Sequence, residues 1–239
     1  MSALAHMIES RGVPAVAIGL VRPHLEATRA PRSLFVPFQL GRPLGEPGDA
    51  AFQRRVLLHA LGLLERTDGP VILEDFAEDA PNERDTPGWR PPFALPAPPS
   101  ADLPAALAAE IAHLRPWWDS AQARFGRTTV GLCGLPPEAW PGYAGPFLDG
   151  DVPEAPSAFS PALTLRYLAD DLKAFCMEAV QAEGPAASSR QVNAWFWGGT
   201  AAGRMLLALR GVAQASEEKG LQTIARFLVP VPWLPADHQ

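Results

Sequence analysis

Three short apolar runs, separated by stretches with helical spacing, constrain the fold of this chain more than any other feature. They are VPAVAIGLV (residues 13–21), RSLFVPF (32–38) and PVILEDF (70–76). Continuously apolar strands are covered on both faces, and strands alternating with helices pair in parallel. SALAHMIES (2–10) forms a helix before the first run, stopped by Gly12 with Pro14 just beyond. PHLEATRA (23–30) makes a short helix with Pro23 in its first turn. AAFQRRVLLHALGLLER (50–66) makes a longer one. There Phe52, Val56, Ala60 and Leu63 recur at helical spacing, Leu57 and Leu64 widen the stripe, and Asp49 takes the N-cap position. The expected class is α/β: a small, mostly parallel sheet flanked by helices, with right-handed crossovers.

Residues 79–104 contain eight of the 27 prolines. Proline fixes φ and removes a donor, so this stretch is expected to be a linker, either extended or laid across a surface. The remainder is expected to be mainly helical and packed on the first domain. This divides the chain into 1–78, 79–104 and 105–239. SADLPAALAAEIAHL begins with Ser100 as a cap, and Pro116 ends or kinks its helix. SPALTLRYLADDLKAFCMEAVQAEG runs from the cap Ser160 through Pro161 to the stop Gly184, with Leu165, Leu168, Leu172, Phe175 and Ala179 on its apolar face. SSRQVNAWFWGGTAAGRMLLALRGV (188–212) reads as one helix, and EEKGLQTIARFL as a shorter last one. Between the first two, TTVGLCGLPPEAWPGYAGPF has too much glycine and proline for more than one short strand.

A 47% apolar and 19% charged composition fits a chain with a sizeable core. The net charge is −6 and no basic stripe stands out, which argues against nucleic acid as a partner. No apolar stretch approaches the ~20 residues of a membrane span, and MSALAHMIESRG lacks the basic start of a secretion signal. Two cysteines, Cys133 and Cys176, give no disulfide framework and suit a reducing cytoplasm.

The connection PFQLGRPLGEPGD (37–49) leaves the carboxyl end of the second strand. In open α/β sheets ligands bind beyond such strand ends. Its glycines allow positive φ and close approach of a ligand to the backbone. Gly41, Arg42, Gly45, Gly48 and Asp49 are therefore the candidate substrate-binding residues, with Arg42 the natural partner of a small carboxylate. A shaped connector without a ligand explains the same residues equally well.

These residues also carry a resemblance. RGVPAVAIGLVRPHLEATRAPRSLFVPFQLGRPLGEPGDAAFQRRVLLHALGLL resembles the C-terminal part of the selenoprotein B subunits of the glycine, sarcosine, betaine and D-proline reductases, and the short bacterial proteins related to them. Gly12-Val13-Pro14-Ala15-Val16 matches a GIPTV-like strand entry, and residues 37–47 match a P-x-P-L-G-x-P-like loop. The resemblance implies reductive cleavage of a C–N or similar bond in an amino-acid-like substrate. It also implies a selenocysteine or cysteine motif before the first helix. Here no cysteine precedes Cys133, so either the natural start lies upstream or this branch has lost the reductase chemistry.

Cys133, in GLCGL, is the remaining candidate nucleophile, exposed by glycines on both sides if it is not a buried, inert thiol. Cys176 belongs to the core. The five histidines show no paired ligand spacing, and neither a metal nor a cofactor is called for. Asp170-Asp171, four residues beyond Arg166, reads as a solvated, ion-paired face. GGTAAG (198–203) lacks the lysine of a phosphate loop, and Gly199 and Gly203 are expected to let the helices of 161–182 and 189–212 approach closely. Trp195-Phe196-Trp197 reads as core or interface. Two functions stay open: a dithiol-dependent reductase, or a non-catalytic ligand- or partner-binding module on the same fold. On the second reading the helical region would serve as the interface of a homodimer or with a reductase-complex partner.

Overall fold

The structure, a computed structural model, describes residues 2–81, 84–97, 102–156, 158–183 and 187–234. It divides into two compact units. The first comprises Met1–Pro87 with Ala187–Arg190, and the second Gly88–Ala186 with Gln191–Gln239. The boundary falls inside the proline-rich stretch.

The first unit is the expected α/β element. Its order is α1 (Ser2–Glu9), β1 (Ala17–Gly19), α2 (Arg22–Thr28), β2 (Arg32–Phe35), α3 (Ala50–Gly62) and β3 (Ile72–Asp75). The strands form a parallel sheet in the order β1-β2-β3, with Ile18 beside Leu34 and Leu34 beside Glu74. They are shorter than the apolar runs suggest. Pro37 has no N–H to extend β2, and the ladder closes with the Val36 N–H on the Gly19 carbonyl at 2.9 Å and the Phe76 N–H on the Phe35 carbonyl at 2.8 Å. One sheet face carries Leu34 and Ile72 against Phe52, Val56 and Ala60 of α3. A separate small cluster joins Ala17 to Ala5 of α1 and to Ala30. Asp49 caps α3 as expected, accepting from the Phe52 N–H at 2.9 Å.

The second unit is helical: α4 (Leu103–Phe125), α5 (Trp140–Leu148), α6 (Pro161–Val180), α7 (Ser189–Gly199, counted here from Gln191 on), α8 (Ala201–Ala215) and α9 (Lys219–Leu228). Leu107, Leu114, Leu165, Leu168, Leu172, Phe175 and Met205 are fully buried in its core. Ser160 caps α6, accepting from the Leu163 N–H at 3.3 Å. Ser100 and Gly184, expected as a cap and a stop, lie outside the described residues. Asp102 caps α4 through the Ala105 N–H, with Pro104 in the first turn, where a missing N–H costs nothing.

Three expectations are corrected here. Pro116 does not end its helix, because α4 runs on to Gly126, where a left-handed φ of 65° stops it. The glycine- and proline-rich segment before α6 forms α5 rather than a strand, with Pro141 in the first turn. Residues 188–212 are two helices, broken at Thr200. The Thr200 hydroxyl donates to the Phe196 carbonyl at 2.6 Å and accepts from the Gly203 N–H at 2.8 Å, so one side chain ends α7 and caps α8.

Candidate functional site

The loop after β2 is a run of turns, each with its own special residue. The Arg42 N–H donates to the Gln39 carbonyl at 2.9 Å across Gly41, whose φ is 90°. The Gly45 N–H donates to the Arg42 carbonyl at 3.0 Å across Pro43. Glu46-Pro47-Gly48-Asp49 follows, with proline and then a glycine at φ 86°, the signature of a type II turn. The Gln53 amide ties the turn to α3 by donating to the Glu46 carbonyl at 2.7 Å. Beneath the loop, the Phe38, Phe52 and Phe76 rings pack tilted or edge-on, with centroids 5.4–5.9 Å apart.

The five candidate residues separate by role. Gly45 is buried, and a Cβ on it would stand 2.6 Å from the Phe52 ring, so the close approach it permits is to the core. The Asp49 carboxylate is engaged as the cap of α3. Gly41 and Gly48 also have positive φ, but open space lies where a side chain would be. Arg42 is exposed, and its guanidinium has no partner among the described residues. The strand order reverses nowhere in the described sheet, so no switch-point crevice adds to the loop. What remains is an arginine and two open glycines beyond the carboxyl end of the central strand.

Cys133 is placed differently from the expectation. It is fully buried, and its thiol faces the Leu135 carbonyl at 3.8 Å. Burial, reinforced by the neighbouring Asp171 carboxylate, pushes the thiol up to about 12. The flanking Gly131 and Gly134, at φ 127° and 75°, do not expose it. They bend the loop so that consecutive backbone N–H groups converge on Asp171 of α6. Gly131 and Leu132 donate to Oδ1 at 2.9 and 3.0 Å, and Cys133 donates to Oδ2 at 2.9 Å. Cys176 is buried too, and burial followed by the charge of Glu110 raises its thiol well above the ordinary value. Neither cysteine offers a thiolate near neutral pH.

Sequence reasoning missed the three carboxylates that organise the second unit. Asp171 is not on the solvated face: only Asp170 is, paired with Arg166 and, at 3.0 Å, with Lys173. Glu178 accepts from the Trp118 indole at 2.8 Å, the Thr128 hydroxyl at 2.7 Å and the Thr129 N–H at 2.7 Å. Burial raises its carboxyl, but these bonds outweigh burial and hold it below the usual range. Glu110 of α4 accepts the Ala201 and Ala202 N–H groups of α8 at 2.6 and 2.9 Å, and burial leaves its carboxyl above the usual range. The signal was present: Glu110 falls between Leu107, Ile111 and Leu114, and Asp171 between Leu168, Leu172 and Phe175, on stripes otherwise apolar.

Two cavities of the second unit were not foreseen, and neither touches residues 41–49. A cleft of about 550 Å³ lies among the ends of α5 and α8 and the start of α9, with Asp149, Asp151, Glu217 and Glu218 in its wall. A smaller one of about 80 Å³ lies over Glu110. Among the described residues no group of three or more His, Cys, Asp or Glu side chains could hold a metal ion, and no helix is long and apolar enough to cross a membrane. Comparison with protein-family models, with curated proteins and with solved structures finds no match.

Proposed function

We propose that this chain is a carboxylate-binding component of a selenoprotein B-like reductase system rather than a self-sufficient thiol enzyme. The observation that carries the reading is the state of the two thiols: both are buried and both are held protonated. Dithiol-dependent cleavage of a C–N bond needs an accessible thiolate or selenolate, and neither Cys133 nor Cys176 is one. The ligand class follows from Arg42, an exposed guanidinium next to Gly41, on a loop whose backbone is open to approach at Gly41 and Gly48. An amino-acid-like carboxylate suits that fork, and a reducing cytoplasm suits the two free thiols.

The test is calorimetric titration of the full chain with glycine, sarcosine, betaine and D-proline. At least one should bind, and Arg42→Ala should weaken it by the ~1.5–3 kcal/mol of a hydrogen bond to a charged group, roughly 10- to 150-fold. With dithiothreitol alone the chain should turn over none of them. Absence of binding to all four overturns the proposal. Dithiol-dependent turnover that disappears in Cys133→Ser would return the chemistry to Cys133.

A further inference from the structure

The second half of the proline-rich stretch is a strap seated on an aromatic surface. The Phe93 ring lies 6.1 Å from His113 and 5.2 Å from Trp117, both on α4, and 6.0 Å from Trp195 on α7, measured between centroids. Leu95 packs beside it against the helical core. Leu95 and Pro96 also line the small cavity over Glu110, so the strap roofs a buried carboxylate. Among the described residues none of 88–97 makes a hydrogen bond or an ion pair. The strap has no regular structure, and Phe93, Leu95 and Pro96 are only half-buried. Its hold on the helices is side-chain packing alone.

Those features describe a bound ligand more than a structural element. Integral segments tie their backbone groups into the fold, whereas elements of low local stability have few such ties. Adjacent prolines restrict a free chain beforehand, so little order is lost when it docks, and aromatic-lined surfaces recognise proline-rich segments for that reason. Pro91-Pro92 stands immediately before the anchoring ring.

We propose that the surface formed by His113, Trp117 and Trp195 is a binding site for a proline-rich segment carrying an aromatic anchor, filled here by the chain's own residues 88–97 and open to the same segment of a second copy once the first is lifted. The second copy is the partner because its strap is identical to the one observed in place. Lifting the strap also uncovers Glu110 and the α8 amides that it holds.

The probe is a fluorescent synthetic peptide of residues 88–97, titrated by anisotropy into the full chain and into Phe93→Ala, which loses the anchor in cis. Phe93→Ala should bind the peptide at least tenfold more tightly than the wild type, and its tryptophan emission should shift to the red. A scrambled peptide of the same composition should not bind. Failure of the peptide to bind a Phe93→Ala chain of unchanged helicity overturns the proposal, as does equal binding of the scrambled peptide. Should Phe93→Ala not fold, the wild type supplies the decision through chymotryptic cleavage after Phe93 in increasing urea. A shallow dependence on urea marks local lifting, and a dependence as steep as global unfolding shows the strap to be integral and the proposal wrong.

Discussion

In the first unit Arg22 meets Asp75 at 3.1 Å with 41% and 52% of the two side chains exposed, and Arg55 meets Glu78 in a similar setting. In the second, Asp171 and Glu110 are 0% and 4% exposed and accept from backbone amides rather than from cations. The first unit keeps most of its charges in water and lets glycines and prolines shape its loops. Its exception is the pair of Arg32 and Glu9, which is largely buried. The second buries two of the carboxylates that shape its loops and helix ends, whereas Asp49, the cap of α3, is only half-buried. An exposed pair gains little over two hydrated ions, whereas a buried carboxylate stripped of its partners is costly. The two units should therefore respond very differently to loss of a single acidic or basic side chain.

All seven tryptophans and both tyrosines lie at or beyond residue 89, so intrinsic fluorescence follows the second unit alone. The largest effect is expected for Asp171→Ala, which leaves three converging N–H groups without their acceptor. Urea unfolding monitored by tryptophan should show a loss of roughly 2–4 kcal/mol. A loss below 1 kcal/mol would mean that water replaces the carboxylate and that the contrast between the units is false.

Gly203→Leu comes next. A Cβ there would stand 2.4 Å from the Phe196 carbonyl, so the close approach is between the end of α7 and the start of α8, not between α6 and α8 as the sequence suggested. The cost should be ~1–3 kcal/mol by the same measurement, since overpacking forces backbone to move. Gly199→Ala, where a Cβ finds only ordinary contact with Trp195 at 3.6 Å, should be far milder. Equal losses for the two would place the constraint elsewhere.

The Cys133 thiol gives a smaller effect, confined to alkaline pH. Its folded value, about 12, lies above its ordinary 9.0, so the native state keeps a proton that the unfolded chain gives up. The resulting stabilisation is complete below pH 9 and is lost as pH rises toward 12. At pH 10, one unit into that window, the loss is roughly 1.4 kcal/mol. Subtracting the profile of Cys133→Ala from that of the wild type isolates it, and a flat difference would refute it. The smallest effect is Arg22→Ala in the first unit. Its loss should stay within the ~1 kcal/mol of exposed pairs, read by far-ultraviolet circular dichroism because that unit has no tryptophan.

The fold was legible wherever local chemistry decides it. The buried runs around Leu34 and Ile72, the stripe of Phe52, Val56 and Ala60, and the caps Asp49 and Ser160 each carry their own signal. What could not be read depends on partners distant in sequence. Glu110 accepts the first N–H groups of a helix start 91 residues away, just past the break that Thr200 makes in the continuous helical pattern at 188–212. Cys133 looked accessible because its glycines suggest openness, yet their role emerges only when Asp171 arrives from 38 residues further on. The loop at 41–49 was legible as a shape. Arg42 was legible within it as the charged side chain that the turns leave exposed.

The hold of Asp171 on Gly131, Leu132 and Cys133 has a consequence in time as well as in energy. A loop without regular structure ordinarily swaps its amide hydrogens with solvent almost freely. These three can do so only when the α6 carboxylate lets go, so in deuterated water they should keep their protons about as long as helix α6 keeps its own. The segment is irregular in shape but helical in its clock.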